Sequence, residues 1–153
     1  MSKCGFEPIF DENCNILILC SFPSVKSRAE RFYYGNKQNR FWKTLSSAFD
    51  EQLPISIEEK IAFVLHHNIA LWDIVQSCEI EGSLDTAIKY PQIADIQSLI
   101  NKAPIKQIIC NGKTAYSLFI KNFKNLSHLA LCLPSTSPAN TRFDESLWFD
   151  ALQ

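Results

Sequence analysis

Hydroxyl, amide and aromatic side chains are concentrated between residues 21 and 43. This segment opens with Ser-Phe-Pro-Ser at Ser21–Ser24, carries the pair Tyr33-Tyr34, and closes with Asn-Arg-Phe-Trp-Lys at Asn39–Lys43. Hydroxyl groups and backbone N–H groups beside a proline can bind phosphate oxygens. An aromatic ring in a loop can stack on an unpaired base, which contributes about 1–3 kcal/mol. The segment therefore indicates contacts to phosphates and bases.

Four apolar runs of strand length alternate with helical patterns along the chain. The predicted strands are Asn15–Cys20, Ile69–Val75, Ile105–Cys110 and Leu129–Leu133. The predicted helices are Phe41–Phe49, Ser56–Asn68, Ile93–Lys102, Lys113–Phe123 and Asp144–Leu152. Ser56 followed by Glu59 is a capping-box pattern, and Phe41 and Trp42 are expected in the core.

This alternation predicts an α/β fold in which helices cover both faces of a parallel sheet. Ligands bind such folds at the carboxyl ends of the strands. The segments that follow the predicted strands at these ends are Ser21–Ser24, Trp72-Asp73, Asn111-Gly112 and Pro134–Asn140.

Other active-site patterns fit poorly. Gly112-Lys113-Thr114 lacks the glycine that a phosphate-binding loop needs five residues earlier, where Gln107 stands, so Asn111-Gly112 is interpreted as a tight turn. A Ser/His/Asp hydrolase is not favoured, because His128 is predicted at the sheet end opposite to Ser21 and no serine lies in a G-x-S-x-G elbow.

The six cysteines form no CxxC pair and have no histidine at metal-ligand spacing. We therefore predict reduced thiols, no metal and no cofactor. The Met1–Glu12 segment does not resemble a signal peptide, and the sequence has no apolar run long enough to span a membrane. These features predict a cytoplasmic protein with no membrane partner.

The net charge of −1 conceals a segregation of charges along the chain. Residues 26–43 hold six basic groups and one acidic group, and residues 96–143 hold six basic groups and no acidic one. Residues 50–95 hold nine acidic and two basic groups. Such segregation could place positive potential on one face of the protein and negative potential on the other. Charges also cluster by chance along helices, and the charges taken alone favour this second interpretation.

Several separate blocks resemble one family. Cys20–Lys43 is similar to the first active-site motif of the uracil-DNA glycosylase superfamily, in particular its hypoxanthine-DNA (deoxyinosine) glycosylase branch. The blocks Ile69–Asp73, Gly82–Asp85 and Leu133–Asn140 agree with the same branch. The resemblance extends from Cys20 to Trp148, nearly the whole chain.

The resemblance implies a three-layer α/β/α sandwich around a four-stranded parallel sheet, formed by one domain over residues 1–153. It also implies a monomeric enzyme that hydrolyses the N-glycosidic bond of a flipped, deaminated base in DNA, most simply hypoxanthine. Uracil excision and noncatalytic binding of damaged DNA remain the alternatives.

Residue roles follow from the same resemblance. Asn39 is expected to orient the attacking water, since Phe22 stands where uracil-specific relatives carry Asp or Asn. A cap of the following helix is the other interpretation of Asn39. The residues expected at the base are Tyr34, Phe22, Trp72 and Asp73, although Asp73 could equally cap backbone N–H groups. The residues expected in the phosphate and wedge loops are Ser21, Pro23, Ser24, Ser135, Thr136, Ser137, Pro138, Ala139 and Asn140.

Two further positions differ from the relatives. Lys37 stands where relatives commonly carry proline. Ser135 stands where uracil-specific members carry His or Asn to assist the leaving base.

Overall fold

A computed structural model describes residues 2–153 of the chain, with Met1 outside the described residues. In chain order the strands are β1 (Ser2–Cys4), β2 (Ile16–Cys20), β3 (Ile69–Asp73), β4 (Val75–Glu79), β5 (Lys89–Ile93), β6 (Gln107–Asn111) and β7 (Ala130–Leu133). The helices are α1 (Val25–Glu30), α2 (Phe41–Ala48), α3 (Ile57–His66), α4 (Ile96–Ile100), α5 (Lys113–Asn122) and α6 (Glu145–Leu152). Short 3-10 helices lie at Asp85–Ala87 and Lys124–Leu129.

The central sheet has four parallel strands in the order β3-β2-β6-β7, as the sequence predicts. Its strands are short apolar runs because both faces of the sheet are covered by helices. Leu17 and Leu19 of β2 point into a cluster with residues of α4 and α5. The intervening Ile18 points into a second cluster with residues of α2, α3 and α6. The three-layer sandwich is thus confirmed.

The predicted helix signals correspond to real caps. The Ser56 hydroxyl accepts from the backbone N–H of Glu59 at 3.0 Å, and the Glu59 carboxylate accepts from the backbone N–H of Ser56 at 3.3 Å. Asp144 caps α6 through the backbone N–H of Ser146 at 3.0 Å. Phe41 and Trp42 are buried, as expected for core residues.

A second sheet was not predicted. The antiparallel strands β1, β4 and β5 form it in the order β1-β4-β5. The predicted second strand therefore divides, since β3 ends at Asp73 and Val75 begins β4. The predicted helix Ile93–Lys102 is also too long: Ile93 ends β5, and Asp95 caps the five-residue α4 through the N–H of Ser98. The strand β5 is mostly exposed and contains Pro91, so it lacks the alternating pattern of a half-buried strand.

The carboxyl ends of the four parallel strands lie at one edge of the central sheet, as their pairing register requires. The segments that leave β2, β3, β6 and β7 meet at this edge. Within residues 2–153, the helices are all too short or too polar to cross a membrane.

Candidate active site

A cleft of about 430 Å³ opens at the carboxyl edge of the central sheet. Its walls come from the last residues of β2, β3 and β6, from the segments that follow β2 and β7, and from the turn at residues 83–85. Most of the residues predicted for the site line this cleft: Ser21, Phe22, Pro23, Ser24, Tyr34, Asn39, Asp73, Ser135, Ser137, Pro138, Ala139 and Asn140. Residues up to 119 positions apart in the sequence are thus gathered around one cavity.

Two predicted site residues lie elsewhere. Trp72 is not among the residues that line the cleft, because alternation along β3 turns its side chain toward the core cluster under α4 and α5. Thr136 is fully buried, and its backbone N–H and side-chain oxygen bind the side chain of Asn111 at 3.0 Å each. Trp72 was predicted to contact the base and Thr136 to contact a phosphate. The structure instead places both side chains away from the cleft.

Tyr34 is held in a constrained conformation at the wall of the cleft. Its backbone is left-handed, with φ of 54°, which is uncommon for a residue with a large side chain. Its ring stacks on the Phe41 ring with centroids 3.8 Å apart and an interplanar angle of 17°. Its hydroxyl group is buried and has no hydrogen-bond partner among residues 2–153. Burial raises the pKa of Tyr34 well above its ordinary value, so the phenol remains a neutral donor.

Asn39 lies immediately before α2 and is partly exposed to the cleft. Its side-chain oxygen accepts a hydrogen bond from the backbone N–H of Phe41 at 2.9 Å. The capping interaction expected for this residue is therefore present, although Arg40 occupies the N-cap position itself. A carboxamide oxygen has two acceptor sites. Contact with Phe41 leaves one of them for a water molecule.

Asp73 ends β3 at the bottom of the cleft and is only 2% exposed. Its Oδ2 atom is buried without a hydrogen-bond partner in the described part of the chain. Burial raises the pKa of this carboxyl to about 8, and the backbone N–H of Phe6 offsets part of the increase. Asp73 is therefore mainly protonated at neutral pH and can both donate and accept hydrogen bonds.

Ser21 is buried at the end of β2, and its hydroxyl donates to the carboxylate of Asp85 at 2.5 Å. The hydrogen of this hydroxyl is therefore already used, which differs from the predicted phosphate contact of Ser21. Ser24 also has an internal partner, since its hydroxyl oxygen accepts from the backbone N–H of Ser27 at 3.1 Å and caps α1. Ser24 remains partly exposed.

Phe22 is 5% exposed and belongs to the core cluster under α4 and α5. The guanidinium of Arg28 lies 5.5 Å from the centre of its ring. The phenyl ring forms part of the cleft wall and supplies no group that could hold water.

The loop that follows β7 is hydrogen-bonded to the Asn39–Lys43 segment. Arg40 donates from Nη1 to the backbone oxygens of Ser137 and Asn140, at 3.1 and 3.0 Å. The side chain of Asn140 donates to the backbone oxygen of Ser135 at 3.0 Å. Hydrogen bonds to a charged group contribute more than those between neutral groups. The predicted wedge loop is therefore fixed against the first motif.

Arg40, Asp85 and Asn111 make the hydrogen bonds that connect the segments around the cleft, and none of them was assigned a role from the sequence. Arg40 and Asp85 belong to blocks that resemble the family, so the sequence indicated that these positions matter. It did not indicate which residues they contact. Asn111 was interpreted only as part of a turn, yet it is buried and connects β6 to Thr136.

A group of possible metal ligands occurs away from the cleft. Oxygen and nitrogen atoms of Glu51, His66 and His67 lie within 4.8 Å of one another, and the Glu51 carboxylate forms a hydrogen bond with the His67 ring. His66 and His67 come just before β3, so they lie at the amino edge of the sheet, opposite to the cleft. This group does not contribute to the candidate active site.

The parallel sheet and the cleft at its strand ends define an α/β protein with a ligand site at the carboxyl edge of the sheet. The family model of the uracil DNA glycosylase superfamily matches residues 7–152, and the chain belongs to this family. The resemblance found in the sequence motifs is thereby confirmed.

Two relatives are similar to this chain over almost their full length. A protein of Methanosarcina acetivorans named hypoxanthine DNA glycosylase is 37% identical over 153 residues, which cover 97% of this chain and 96% of the relative. A protein of Methanosarcina barkeri with the same name is 35% identical over 144 residues, with 93% and 90% covered.

A solved structure is similar as well. The solution NMR structure of a candidate uracil DNA glycosylase from Methanosarcina acetivorans matches with a TM-score of 0.87 and 35% identity. The match covers 99% of this chain and 97% of that chain.

Proposed function

We propose that this protein is a monofunctional DNA glycosylase that hydrolyses the N-glycosidic bond of a flipped deoxyinosine and releases hypoxanthine. One observation carries the proposal: the Ser21–Lys43 segment and the loop Ser135–Asn140 close a single cleft and are joined there by Arg40. The Ser21–Lys43 segment supplies the Tyr34 ring for stacking and the Asn39 carboxamide. The Ser135–Asn140 loop supplies the residues that would occupy the space left in the duplex by the flipped base. Both relatives named above carry the name hypoxanthine DNA glycosylase.

The size of the cleft suits one nucleobase. Its volume of about 430 Å³ lies at the small end of ligand sites in proteins. A base inside a duplex cannot reach such a cavity, so the nucleotide must rotate out of the helix. Pro138 and Ala139 on the rim have the bulk to occupy part of the space that the base leaves, while Ser24, Ser135 and Ser137 lie where flanking phosphates would pass.

Asn39 is the residue that we propose to orient the attacking water. The N-glycosidic bond lengthens first, positive charge develops on the sugar, and hypoxanthine leaves as an anion. Water then adds to C1′ of the sugar. Because the Phe41 N–H fixes one side of the Asn39 amide oxygen, the remaining acceptor site has a defined direction. Fixed polar groups of this kind stabilise a transition state without reorganisation.

Asp73 is the residue that we propose to contact the edge of the base. Hypoxanthine presents an N–H donor next to a C=O acceptor. A neutral carboxyl group presents the complementary pair, an acceptor oxygen and an O–H donor. The burial that keeps Asp73 protonated thus supports base contact as well as packing. Uracil offers a similar N–H and C=O edge and remains the second candidate substrate.

The test is release of base from duplexes that contain inosine, uracil, xanthine or no lesion, scored as abasic sites after alkaline cleavage. We expect the inosine duplex to react fastest, and we expect the reaction to persist in EDTA. Uracil as the best substrate would change the base assignment. Tight lesion-selective binding without any base release would support the noncatalytic alternative.

We also propose that the domain spans residues 1–153 and acts as a monomer in the cytoplasm on DNA that contains a deaminated base. All six cysteines are free thiols, which suits a reducing compartment. Sedimentation with and without a lesion duplex tests the stoichiometry.

A further inference from the structure

The excision reaction produces a proton that neither Asn39 nor Phe22 can accept. When water adds to C1′, it must lose a proton. The Asn39 carboxamide can orient the water but is not basic, and Phe22 has no polar group. A cleft with these two residues alone has no proton acceptor.

Two acidic side chains line the cleft, Asp73 and Asp85. Asp73 is buried and mainly protonated at neutral pH, so it is a poor base. Asp85 is exposed and lies on the first turn of the 3-10 helix Asp85–Ala87. Of these two side chains, Asp85 is therefore the one that can take up a proton during the reaction.

The structure places Asp85 firmly. Its carboxylate accepts from the Ser21 hydroxyl at 2.5 Å, so it reaches the end of β2 next to Phe22. The preceding turn is attached to α1, since the backbone N–H of Val25 donates to the Ser83 hydroxyl at 2.9 Å and Arg28 donates to the Gly82 oxygen at 2.8 Å. A turn 64 residues away in the sequence thus delivers a carboxylate beside the position that Phe22 leaves without one.

We propose that Asp85 is the general base of the excision reaction and that the Ser21 hydroxyl holds its carboxylate toward the attacking water. This inference rests on the glycosylase function proposed above. In the step, the C1′–N9 bond breaks with its electron pair on hypoxanthine, and the C1′–O bond forms to water. The water proton passes to Asp85 and then to solvent, and the departing hypoxanthine anion takes a proton from solvent. The negative charge of Asp85 also stabilises the positive charge on the sugar.

The test compares single-turnover excision by wild type, Asp85→Asn and Glu81→Gln. Asp85→Asn keeps an oxygen that can accept from Ser21 but removes the charge and the basicity. Glu81→Gln removes the same charge from the same segment, outside the cleft. Loss of a general base slows a reaction by about 10²–10⁴-fold. We expect a decrease of at least about 100-fold for Asp85→Asn and a rate within about twofold of wild type for Glu81→Gln.

Binding and rescue separate a base from a structural anchor. Asp85→Asn should bind the lesion duplex at least as tightly as wild type, because a negative charge near the phosphates is removed. In Asp85→Ala, added formate should restore part of the rate, since a free carboxylate can enter the space. Thermal melts confirm that each variant is folded.

The outcomes are distinct. Wild type that releases no base from any lesion duplex overturns the proposed function. Active wild type together with a folded Asp85→Asn protein that keeps more than about a tenth of the rate overturns only the role of Asp85. A slow Asp85→Ala protein that formate does not rescue also contradicts the general-base role and leaves Asp85 as an anchor for Ser21.

Discussion

The ring of Tyr34 lies parallel to the ring of Phe41, with centroids 3.8 Å apart. Because Phe41 belongs to α2 and is fully buried, one face of the tyrosine is fixed against the core. A base that enters the cleft can stack only on the face or edge of Tyr34 that remains.

Tyr34→Ala should weaken capture of the flipped base. Loss of one stacking contact worth about 1–3 kcal/mol corresponds to about 5- to 150-fold in the affinity for an inosine duplex. Tyr34→Phe should retain most of this affinity, because stacking does not need the hydroxyl. Fluorescence anisotropy with an inosine duplex and an undamaged duplex measures the effect.

Tyr90→Ala provides a matched control. Tyr90 is also left-handed, with φ of 52°, but its side chain is 75% exposed and does not line the cleft. Equal losses for Tyr34→Ala and Tyr90→Ala would argue against stacking on the base.

Asn39→Ala should reduce single-turnover excision by about 100-fold or more, the scale observed when one preorganised polar group is removed. The substitution also removes the hydrogen bond to the Phe41 N–H, which should lower the free energy of unfolding by about 1 kcal/mol. Asn39→Asp keeps this capping contact and should keep the stability. Duplex binding should change little in Asn39→Ala, whereas the negative charge introduced in Asn39→Asp should weaken it.

Asn36→Ala is the control within the same loop. Asn36 also lines the cleft, and its side-chain oxygen accepts from the backbone N–H of Gln38 at 3.0 Å. A folded Asn39→Ala protein with near-normal rates, or an equal loss in Asn36→Ala, would exclude a special role of Asn39 in catalysis.

Salt should weaken DNA binding even though the net charge is −1. The exposed cations Lys26, Arg31, Lys37 and Lys43 lie on the segments that carry the cleft residues Ser24, Ser27, Asn36 and Asn39. Contact of three or four phosphates predicts a slope of about −3 in a plot of log affinity against log salt. Lys26→Gln combined with Lys37→Gln should make this slope shallower by about 2.

Lys106→Gln should leave the slope unchanged. Lys106 precedes β6 and lies at the opposite end of the sheet from the cleft. A slope near zero for wild type, or the same change in Lys106→Gln, would exclude a basic footprint around the cleft.

The central sheet could be predicted from the sequence because its strands are buried on both faces. Ile16–Cys20 reads as a continuous apolar run for this reason, and the capping pair Ser56 and Glu59 marked the start of a helix. The second sheet could not be predicted. Its strand β5 is mostly exposed, so its residues show no alternation of apolar and polar side chains that would predict a strand.

The sequence predicted many of the residues that line the cleft, but it did not predict the hydrogen bonds between them. Tyr34, Asn39 and Asp73 could be assigned because motifs preserve residue types at fixed spacing. The bond between Ser21 and Asp85 joins residues 64 positions apart, and Arg40 reaches Ser137 across 97 positions. Local sequence patterns do not encode such pairs, since they depend on how the strand-end loops meet at the edge of the sheet.

The buried carboxyl of Asp73 should make both stability and activity depend on pH. Its pKa rises from an ordinary 3.8 to about 8 on folding, so between these values the native state binds a proton that the unfolded chain has lost. Stability from this group is therefore complete below the unfolded pKa and falls as pH rises toward about 8, by about 1.4 kcal/mol per pH unit. In Asp73→Asn the side chain does not titrate, and this decrease should vanish. Urea unfolding of both proteins at several values between pH 5 and 8.5 measures the difference, with Asp95→Asn as a control on an exposed carboxylate that caps α4.

Single-turnover excision by the wild type should also decline above about pH 8, because Asp73 there loses the O–H group that donates to the base. Asp73→Asn retains an N–H donor and should not show this decline. Stability curves that run parallel for wild type and Asp73→Asn would contradict the raised pKa, and parallel rate curves would exclude donation from Asp73 to the base.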